Sequence, residues 1–218
     1  MHPVLQIRGL GYSYDGHPVL DGLDLVQPAG GHRVLLGPSG SGKTTLIHLI
    51  AGLLTPQRGA VAIDGETISE LPPARRDDLR RRKIGVVFQT LRLVAALDVT
   101  SNLLLAQRLA RRRRDREEVR ALLDELGLSH RAHARPRELS QGEAQRAAIA
   151  RGLVTRPKLL IADEPTSALD DRNAERVARL LVDAASAHGS TLLVATHDAR
   201  IRAFIPDAIL LAPTAEAA

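Results

Sequence analysis

Residues 37–45, GPSGSGKTT, constrain this chain more than any other part of its sequence. They contain every fixed position of the pattern G-x-x-x-x-G-K-[ST], in which a glycine-rich loop connects a strand to a helix. The apolar residues 34–36 before the loop predict a buried strand, and residues 46–50 after it predict a helix. Strand, loop and helix therefore follow one another in the order that this phosphate-binding arrangement requires.

The residue types in this loop suit the binding of phosphate. Glycine has no Cβ, so successive backbone N–H groups can converge on phosphate oxygens. Lys43 supplies a mobile positive charge, and Thr44 has a hydroxyl that can ligate Mg²⁺ at the start of a helix. We therefore predict a nucleoside triphosphate site. Its residues are Gly37, Pro38, Ser39, Gly40, Ser41, Gly42, Lys43, Thr44 and Thr45.

Composition limits the kind of protein that carries this loop. A chain of 218 residues can bury a full core and is most simply one domain. It has no cysteine, which excludes disulfides and thiolate metal sites and fits a reducing compartment. Its net charge of +5 favours an anionic neighbour, and lipid, nucleic acid and nucleotide all remain open. It shows no signal peptide and no apolar run near the ~20 residues of a membrane span, so we expect any span to belong to another chain.

The apolar pattern predicts an α/β fold. Continuous apolar runs at residues 84–88, 159–163 and 191–196 are typical of a parallel sheet that is buried on both faces. Segments at 4–8, 19–27 and 59–65 have the pattern of strands, and we expect them to form a small antiparallel layer beside the loop.

The pattern becomes helical between residues 90 and 146, which predicts an inserted helical lobe with helices at 99–114 and 116–126. The arginines at 111–114 would then end a helix, where the dipole favours positive charge. Solvated surface and a lipid or nucleic-acid contact are both open for them. The basic residues between 75 and 83 alternate with Asp77 and Asp78, which predicts a salt-bridged surface helix.

Two acidic residues follow the predicted strand 159–162. A carboxylate at the carboxyl end of a parallel strand beside the phosphate loop can hold Mg²⁺, which suits Asp163. Glu164 can then face the γ-phosphate and orient or deprotonate a water molecule. Either residue alone could instead cap a helix that starts near Pro165.

Residues 139–143, LSQGE, predict the start of another helix. Ser140 is a favourable N-cap, and Glu143 stands three residues later as its capping-box partner. The exposed amides and the helix dipole also make this position an anion site.

Taken together, these patterns resemble the nucleotide-binding subunit of ATP-binding cassette (ABC) transporters over essentially the whole chain. The resemblance makes residues 37–45 the Walker A loop and Gln89, after the strand 84–88, the Q-loop residue near the metal and the reaction. It makes residues 139–143 the signature, in which Ser140 and Gly142 contact nucleotide. The family usually has LSGGQ, so Gln141 and Glu143 depart from it.

The same resemblance assigns the remaining motifs. Asp163 becomes the metal ligand of Walker B and Glu164 the catalytic glutamate, while residues 167–170 form the D-loop and His197 is the switch histidine. An aromatic residue stacks on adenine in this family, and Tyr14 matches that position better than Tyr12. The D-loop residues are Ser167, Ala168, Leu169 and Asp170, of which Asp170 is expected near nucleotide.

The resemblance implies a P-loop NTPase cassette with a RecA-like core, an antiparallel β layer and a helical lobe. It implies one domain over 1–218, with the core at about 1–89 and 147–218 and the lobe at about 90–146. It further implies an ATPase that uses ATP and Mg²⁺, works as a head-to-tail homodimer at the cytoplasmic face of the membrane, and serves a separate transmembrane permease without binding nucleic acid.

Residues 84–93 are most similar to the lipoprotein-release, macrolide-export and cell-division group of this family. The partner's cytoplasmic helix would enter a groove walled by residues 90–105, with Leu93, Val94 and Leu97 expected to face it. A non-transport cassette ATPase of DNA repair or of the ribosome is an alternative, although the chain has neither a long coiled coil nor a second cassette. A regulatory ATP-binding protein is a third, which intact Glu164 and His197 disfavour.

Overall fold

The core of the molecule is a five-stranded parallel sheet. A computed structural model describes residues 3–167 and 169–212. In the described chain the parallel sheet has the strand order β6-β7-β8-β3-β9. Its strands are β3 (Arg33–Leu36), β6 (Ile84–Val87), β7 (Leu159–Asp163), β8 (Thr191–Thr196) and β9 (Ala208–Leu210). β7 and β8 are buried along their whole length, as their unbroken apolar runs predict.

A second, antiparallel sheet covers one side of this core, in the order β2-β1-β4-β5. Its strands are β1 (Pro3–Tyr14), β2 (His17–Pro28), β4 (Arg58–Ile63) and β5 (Glu66–Thr67). Its apolar side packs with helix α1 (Lys43–Ile50) and with parallel-sheet residues such as Leu35 and Ile161. The layer therefore lies next to the phosphate loop, as the sequence predicts.

The other helices pack on the opposite side of the parallel sheet or between the sheets. They are α2 (Pro73–Lys83), α3 (Val99–Leu109), α4 (Arg116–Glu125), α5 (Gln141–Leu153) and α6 (Asp171–Ala187). The apolar faces of α3, α4, α5 and α6 share one core cluster with Val87, Leu160 and Val194 of the sheet. The α/β core, antiparallel layer and helical segment expected from the sequence are confirmed.

One helix prediction needs correction, one open alternative is excluded, and one helix prediction is confirmed. The helix expected over 99–114 ends at Leu109, because Arg111 adopts a positive φ of 56° and the chain leaves the helix there. Arg112 then turns inward, where its guanidinium donates to Glu118 and to the carbonyl of Val154. The arginine run at 111–114 is thus a connection after the helix, and the helix dipole does not explain it.

The segment near Pro165 does not begin a helix. Helix α6 starts at Asp171, and its N-cap is Asp170, whose carboxylate accepts from the backbone N–H of Asn173 at 2.9 Å. Asp163 and Glu164 therefore do not cap this helix. The salt-bridged surface helix is confirmed in α2, where Arg80 pairs with Asp77 and Arg82 pairs with Asp78.

Candidate functional site

Most of the predicted site residues meet at the carboxyl edge of the parallel sheet. Strands β3, β6, β7 and β8 all end at this edge, and each is followed by one of the motifs. The edge forms a cleft of about 430 Å³. Its lining residues are Tyr14, Val19, Ser39, Gly40, Gly42, Lys43, Thr44, Thr45, Gln89, Glu164 and His197. Concave sites at this edge are where open α/β sheets bind ligands.

The backbone of the phosphate loop requires glycine at two positions. A Cβ on Gly37 would lie 2.4 Å from Ser41 Oγ and 2.6 Å from the carbonyl oxygen of Leu211, so no side chain fits. Gly42 has a φ of 88°, in the left-handed region, and it is the N-cap residue of α1. Because α1 has no side-chain cap, the N–H groups of its first turn can bind an anion.

Lys43 is buried within the loop that it follows. Its ammonium donates to the carbonyl oxygens of Gly37 at 2.7 Å and Pro38 at 2.8 Å. Glu164 Oε1 lies 3.9 Å from the same nitrogen. The charge of Lys43 is therefore fixed at the floor of the cleft, close to the converging N–H groups.

Asp163 and Thr44 form the candidate metal position. The hydroxyl of Thr44 donates to Asp163 Oδ2 at 3.3 Å. The other carboxylate oxygen, Oδ1, is buried and has no hydrogen-bond partner. Burial raises the pKa of Asp163, against the opposing effect of the Thr44 hydrogen bond. A buried, unpartnered oxygen beside a hydroxyl is the donor set that a hard cation such as Mg²⁺ takes.

Glu164 is held at the centre of the site by the side chains of His197 and Thr196. Its Oε1 lies 3.0 Å from His197 Nδ1, and its Oε2 accepts from Thr196 Oγ1 at 2.9 Å. Its backbone has a positive φ of 47°, which is uncommon for a residue with a side chain. The backbone N–H donates to the carbonyl oxygen of Ala195 at 2.8 Å, which ties the strained residue to strand β8.

The two tyrosines have different environments. Tyr14 is 46% exposed and lines the cleft, whereas Tyr12 is partly buried against the core below the antiparallel sheet. Their rings meet edge to face, with centroids 5.0 Å apart. Tyr14 lines the cleft and Tyr12 does not, in keeping with the prediction that Tyr14 stacks on adenine.

The signature residues Ser140 and Gly142 and Asp170 of the D-loop do not line this cleft. A Cβ on Gly142 would meet only Arg146, at 3.7 Å, so the start of α5 has open space beside it. Ala168 of the D-loop lies outside the described residues. One copy of the chain thus brings together the Walker A, Walker B, Q-loop and switch residues, and leaves the signature apart.

The capping box predicted at the signature is present. Ser140 Oγ accepts from the N–H of Glu143, and the carboxylate of Glu143 accepts from the N–H of Ser140 at 2.8 Å. The same carboxylate accepts from Arg131 Nε at 2.8 Å and lies 3.3 Å from His130 Nε2. The hydrogen bonds of Arg131 and Ser140 lower the pKa of Glu143 to about 2. The glutamate that departs from the usual signature is therefore a charged link to the preceding turn.

A second groove, of about 410 Å³, lies between α2, the end of β6, α3 and α5. Val94 is 42% exposed on its wall, whereas Leu93 packs against the core cluster and Leu97 does not line the groove. Of the three side chains expected to face a partner here, only Val94 lines the groove.

Sequence analysis did not identify two arginines that line this groove, Arg92 and Arg151. Arg92 lies over the ring of Phe88, 4.2 Å from its centroid, and Arg151 donates to the carbonyl of Arg92. Burial and the neighbouring Arg92 both lower the pKa of Arg151. Within the described residues neither guanidinium pairs with a carboxylate. Sequence analysis also did not identify Thr196 as a site residue. Its position at the end of a buried strand, directly before His197, could have indicated that it belongs to the site.

Comparison with known proteins agrees with this site. The family model described as ABC transporter matches residues 20–167. The chain is 41% identical over 206 residues to the lipoprotein-releasing system ATP-binding protein LolD of Hydrogenovibrio crunogenus, covering 92% of this chain and 90% of that protein. It is 40% identical over 204 residues to the protein of the same description from Hyphomonas neptunium, covering 91% and 90%.

Solved structures show the same fold. The dimeric structure of MJ0796, a bacterial ABC transporter cassette, superposes with a TM-score of 0.85 at 31% identity, over 95% of this chain and 94% of that one. A second structure of MJ0796, a dimeric post-hydrolysis state with ADP and Pi, matches with the same values. In the described chain, no helix is long and apolar enough to cross a membrane.

Proposed function

This chain belongs to the ABC transporter family as an ATP-binding subunit that hydrolyses ATP to ADP and phosphate, and from that premise we propose that it drives a lipoprotein-releasing system. The similarity to lipoprotein-releasing ATP-binding proteins at about 40% identity over about 90% of the chain supports this substrate class. The observation that carries the catalytic part is the cluster of Lys43, Asp163, Glu164 and His197 at one sheet edge.

The phosphates of ATP bind along the loop of residues 37–45, against the N-terminus of α1. Lys43 exchanges its loop carbonyls for the β- and γ-phosphate oxygens, and the ring of Tyr14 stacks on the adenine. Thr44 and Asp163 would hold Mg²⁺, and Gln89, after the end of β6, would be a further oxygen ligand from the same cleft. When bound, Mg²⁺ neutralises charge on the β- and γ-phosphates.

Glu164 acts on the attacking water. Its carboxylate points into the cleft from the end of β7, where it orients the water and accepts its proton. His197 lies within hydrogen-bond distance of that carboxylate and faces the γ-phosphate from the end of β8. Lys43 stabilises the negative charge that develops on the transferred oxygens.

The complete site forms between two copies of the chain arranged head to tail. The signature residues Ser140 and Gly142 and the D-loop residue Asp170 stand outside the cleft that holds the phosphate loop. A second copy would supply them to the exposed side of the nucleotide, where the first turn of α5 offers its amides and dipole to the γ-phosphate. The dimeric form of the similar MJ0796 cassette supports this arrangement.

A separate transmembrane permease binds in the groove that contains Val94 and keeps the dimer at the cytoplasmic face of the membrane. Two features of the groove support a partner: an apolar wall and the unpaired charges of Arg92 and Arg151. Arg151 is partly buried whereas Arg92 is exposed, and a partly buried guanidinium without a carboxylate is costly unless a binding partner compensates it. The docking segment of the permease therefore carries at least one acidic side chain.

Mixed dimers test the head-to-tail site. Lys43→Ala removes the phosphate-loop charge, and Ser140→Arg blocks the signature. Each homodimer therefore has no intact site. A mixture of the two variants contains dimers with one intact site, which should trap one ATP per dimer. A mixture of Lys43→Ala with the doubly substituted chain offers no intact site and is the control. Equal nucleotide trapping in both mixtures would contradict the arrangement.

A further inference from the structure

The hydroxyl of Thr196 makes two hydrogen bonds at the last residue of β8. Its Oγ1 donates to Glu164 Oε2 at 2.9 Å and accepts from the backbone N–H of Asp198 at 3.0 Å. The side chain has no solvent exposure. We propose that Thr196 is a positioning residue for hydrolysis, which holds the carboxylate of Glu164 in the orientation that it needs to act on water. This inference rests on the proposed role of Glu164.

The backbone of Asp198 fixes the direction of the hydroxyl proton. A threonine hydroxyl has one proton to donate, and it rotates to suit its partners. Because the N–H of Asp198 can only donate, Thr196 Oγ1 must accept from it, and its own proton is left for Glu164. An ionised carboxylate only accepts, so the pair is matched in one direction.

The turn that supplies this N–H is itself braced. The carboxylate of Asp198 accepts from Arg200 Nε at 2.9 Å, and Arg200 also pairs with Asp171 in the first turn of α6. The N–H of Asp198 therefore belongs to a segment that is linked to helix α6 through Arg200. Through its hydrogen bond, Thr196 fixes the carboxylate of Glu164, which follows the end of the neighbouring strand β7.

The carboxylate of Glu164 needs such a hold. Its other oxygen faces His197, which is largely exposed, and Lys43, which is 3.9 Å away. In the proposed reaction His197 and Lys43 both contact the γ-phosphate, so neither can hold the carboxylate of Glu164 throughout the cycle. Thr196 is buried and takes no part in binding nucleotide, so its hydrogen bond persists throughout the cycle. A misplacement of a catalytic group by about 1 Å can lower a rate by roughly 100-fold.

The test is the isosteric substitution Thr196→Val in the full chain. It keeps the shape of the side chain and removes the hydroxyl. Hydrogen bonds to charged groups are strong enough that we expect kcat for ATP hydrolysis to fall roughly 10- to 100-fold, while KM changes by less than about 2-fold. We also expect ATP-bound dimers to accumulate in size-exclusion chromatography, because binding outlasts slowed hydrolysis. Thr196→Ser restores the hydroxyl and should recover most of kcat.

Thr191→Val is the matched control. Thr191 is the first residue of the same strand and is also buried, and its Oγ1 accepts a hydrogen bond from the backbone N–H of Gly30 at 2.8 Å. It lies at the opposite end of β8, so its loss should lower thermal stability without changing kcat. A kcat loss in Thr196→Val that Ser does not rescue, or that Thr191→Val equals, would show a structural role only and overturn the inference.

Glu164→Gln separates this inference from the proposed function. If Glu164→Gln abolishes turnover and Thr196→Val has normal kcat, the positioning role is wrong and the catalytic assignment stands. If Glu164→Gln retains normal turnover, the catalytic assignment itself fails, and with it the reason for holding this carboxylate. Loss of turnover in Glu164→Gln with a Ser-rescued loss in Thr196→Val supports both.

Discussion

Nδ1 of His197 lies 3.0 Å from Oε1 of Glu164, although the two residues are 33 positions apart in the chain. They meet because β7 and β8 are neighbouring parallel strands, so the residues that follow them emerge at the same edge of the sheet. Lys43 reaches this edge from the loop after β3, the strand next to β8, and with Glu164 and His197 it makes up a set of polar side chains around the proposed position of the γ-phosphate. The first prediction follows from this set.

Replacing Glu164 by Gln should lower kcat by at least ~100-fold, the range lost with a general base, while ATP still binds. An amide keeps the size of the side chain and the neighbours of Lys43, so nucleotide affinity should change little. ATP-bound dimers should accumulate, and rapid-quench kinetics with size-exclusion chromatography would measure both effects. Glu175→Gln, on the exposed side of α6, is the control and should behave as the native chain.

Truncation of Tyr14 to Ala should weaken nucleotide binding by about 1–3 kcal/mol, the range for base–aromatic stacking. ATP and GTP should lose affinity to a similar extent, because a ring face is read without regard to base identity. Tyr14→Phe keeps the ring and should bind normally. Fluorescent-nucleotide titration measures these affinities. A larger loss from Tyr12→Ala than from Tyr14→Ala would reverse the assignment of the stacking residue.

Glu143 should make the stability of the protein depend on acid. The pKa of Glu143 is about 2 in the folded chain, against 4.5 when unperturbed, so the unfolded state binds more protons between these pH values. The stabilisation is therefore complete above about pH 4.5 and is lost as the pH falls toward 2. Glu143→Gln should be less stable at pH 7 by about 1–2 kcal/mol, a modest figure because Arg131 is partly exposed.

Urea unfolding at a series of pH values measures this difference. The gap between the native chain and Glu143→Gln should narrow as the pH falls below 4.5. In a chain that carries Arg131→Ala, the substitution Glu143→Gln should cost much less stability at pH 7. The two single variants and the double variant together give the coupling energy between Arg131 and Glu143. A gap that stays constant down to pH 3 would show that the ion pair contributes nothing.

The groove should distinguish Val94 from Leu93. Val94→Ser should weaken binding of the permease and leave the stability of the isolated chain unchanged, because the side chain is exposed on the groove wall. Leu93→Ser should instead destabilise the chain, since Leu93 packs against the core. Co-purification with the membrane subunit and thermal unfolding separate the two effects.

Charge reversal tests the acidic character of the docking segment. Arg92→Glu should weaken the complex with the membrane subunit by at least ~10-fold, because it places a carboxylate opposite the acidic side chain proposed for the docking segment. Arg176→Glu, on an exposed face of α6 away from the groove, makes the same change in net charge and is the control. Equal binding by both variants would show that the arginines of the groove do not contact the partner.

Local sequence was sufficient for the parts of this protein that depend on adjacent residues. The phosphate loop follows from a strand, three glycines and a lysine that are contiguous in the chain, and Gly37 and Gly42 stand where no side chain can be tolerated. The capping box of Ser140 and Glu143 spans three residues, so its hydrogen bonds were predictable from spacing. The continuous apolar runs of β7 and β8 likewise announce strands that are buried on both faces.

Tertiary structure decided what depends on which elements become neighbours. After α3 ends at Leu109, Arg112 bonds to Glu118 and to the carbonyl of Val154, which are contacts that no local pattern reveals. The pairing of Thr196 with Glu164 arises from the order of strands in the sheet, which the sequence of either strand leaves open. A side chain acquires its partners by the packing of distant segments, and only the folded chain brings those segments together.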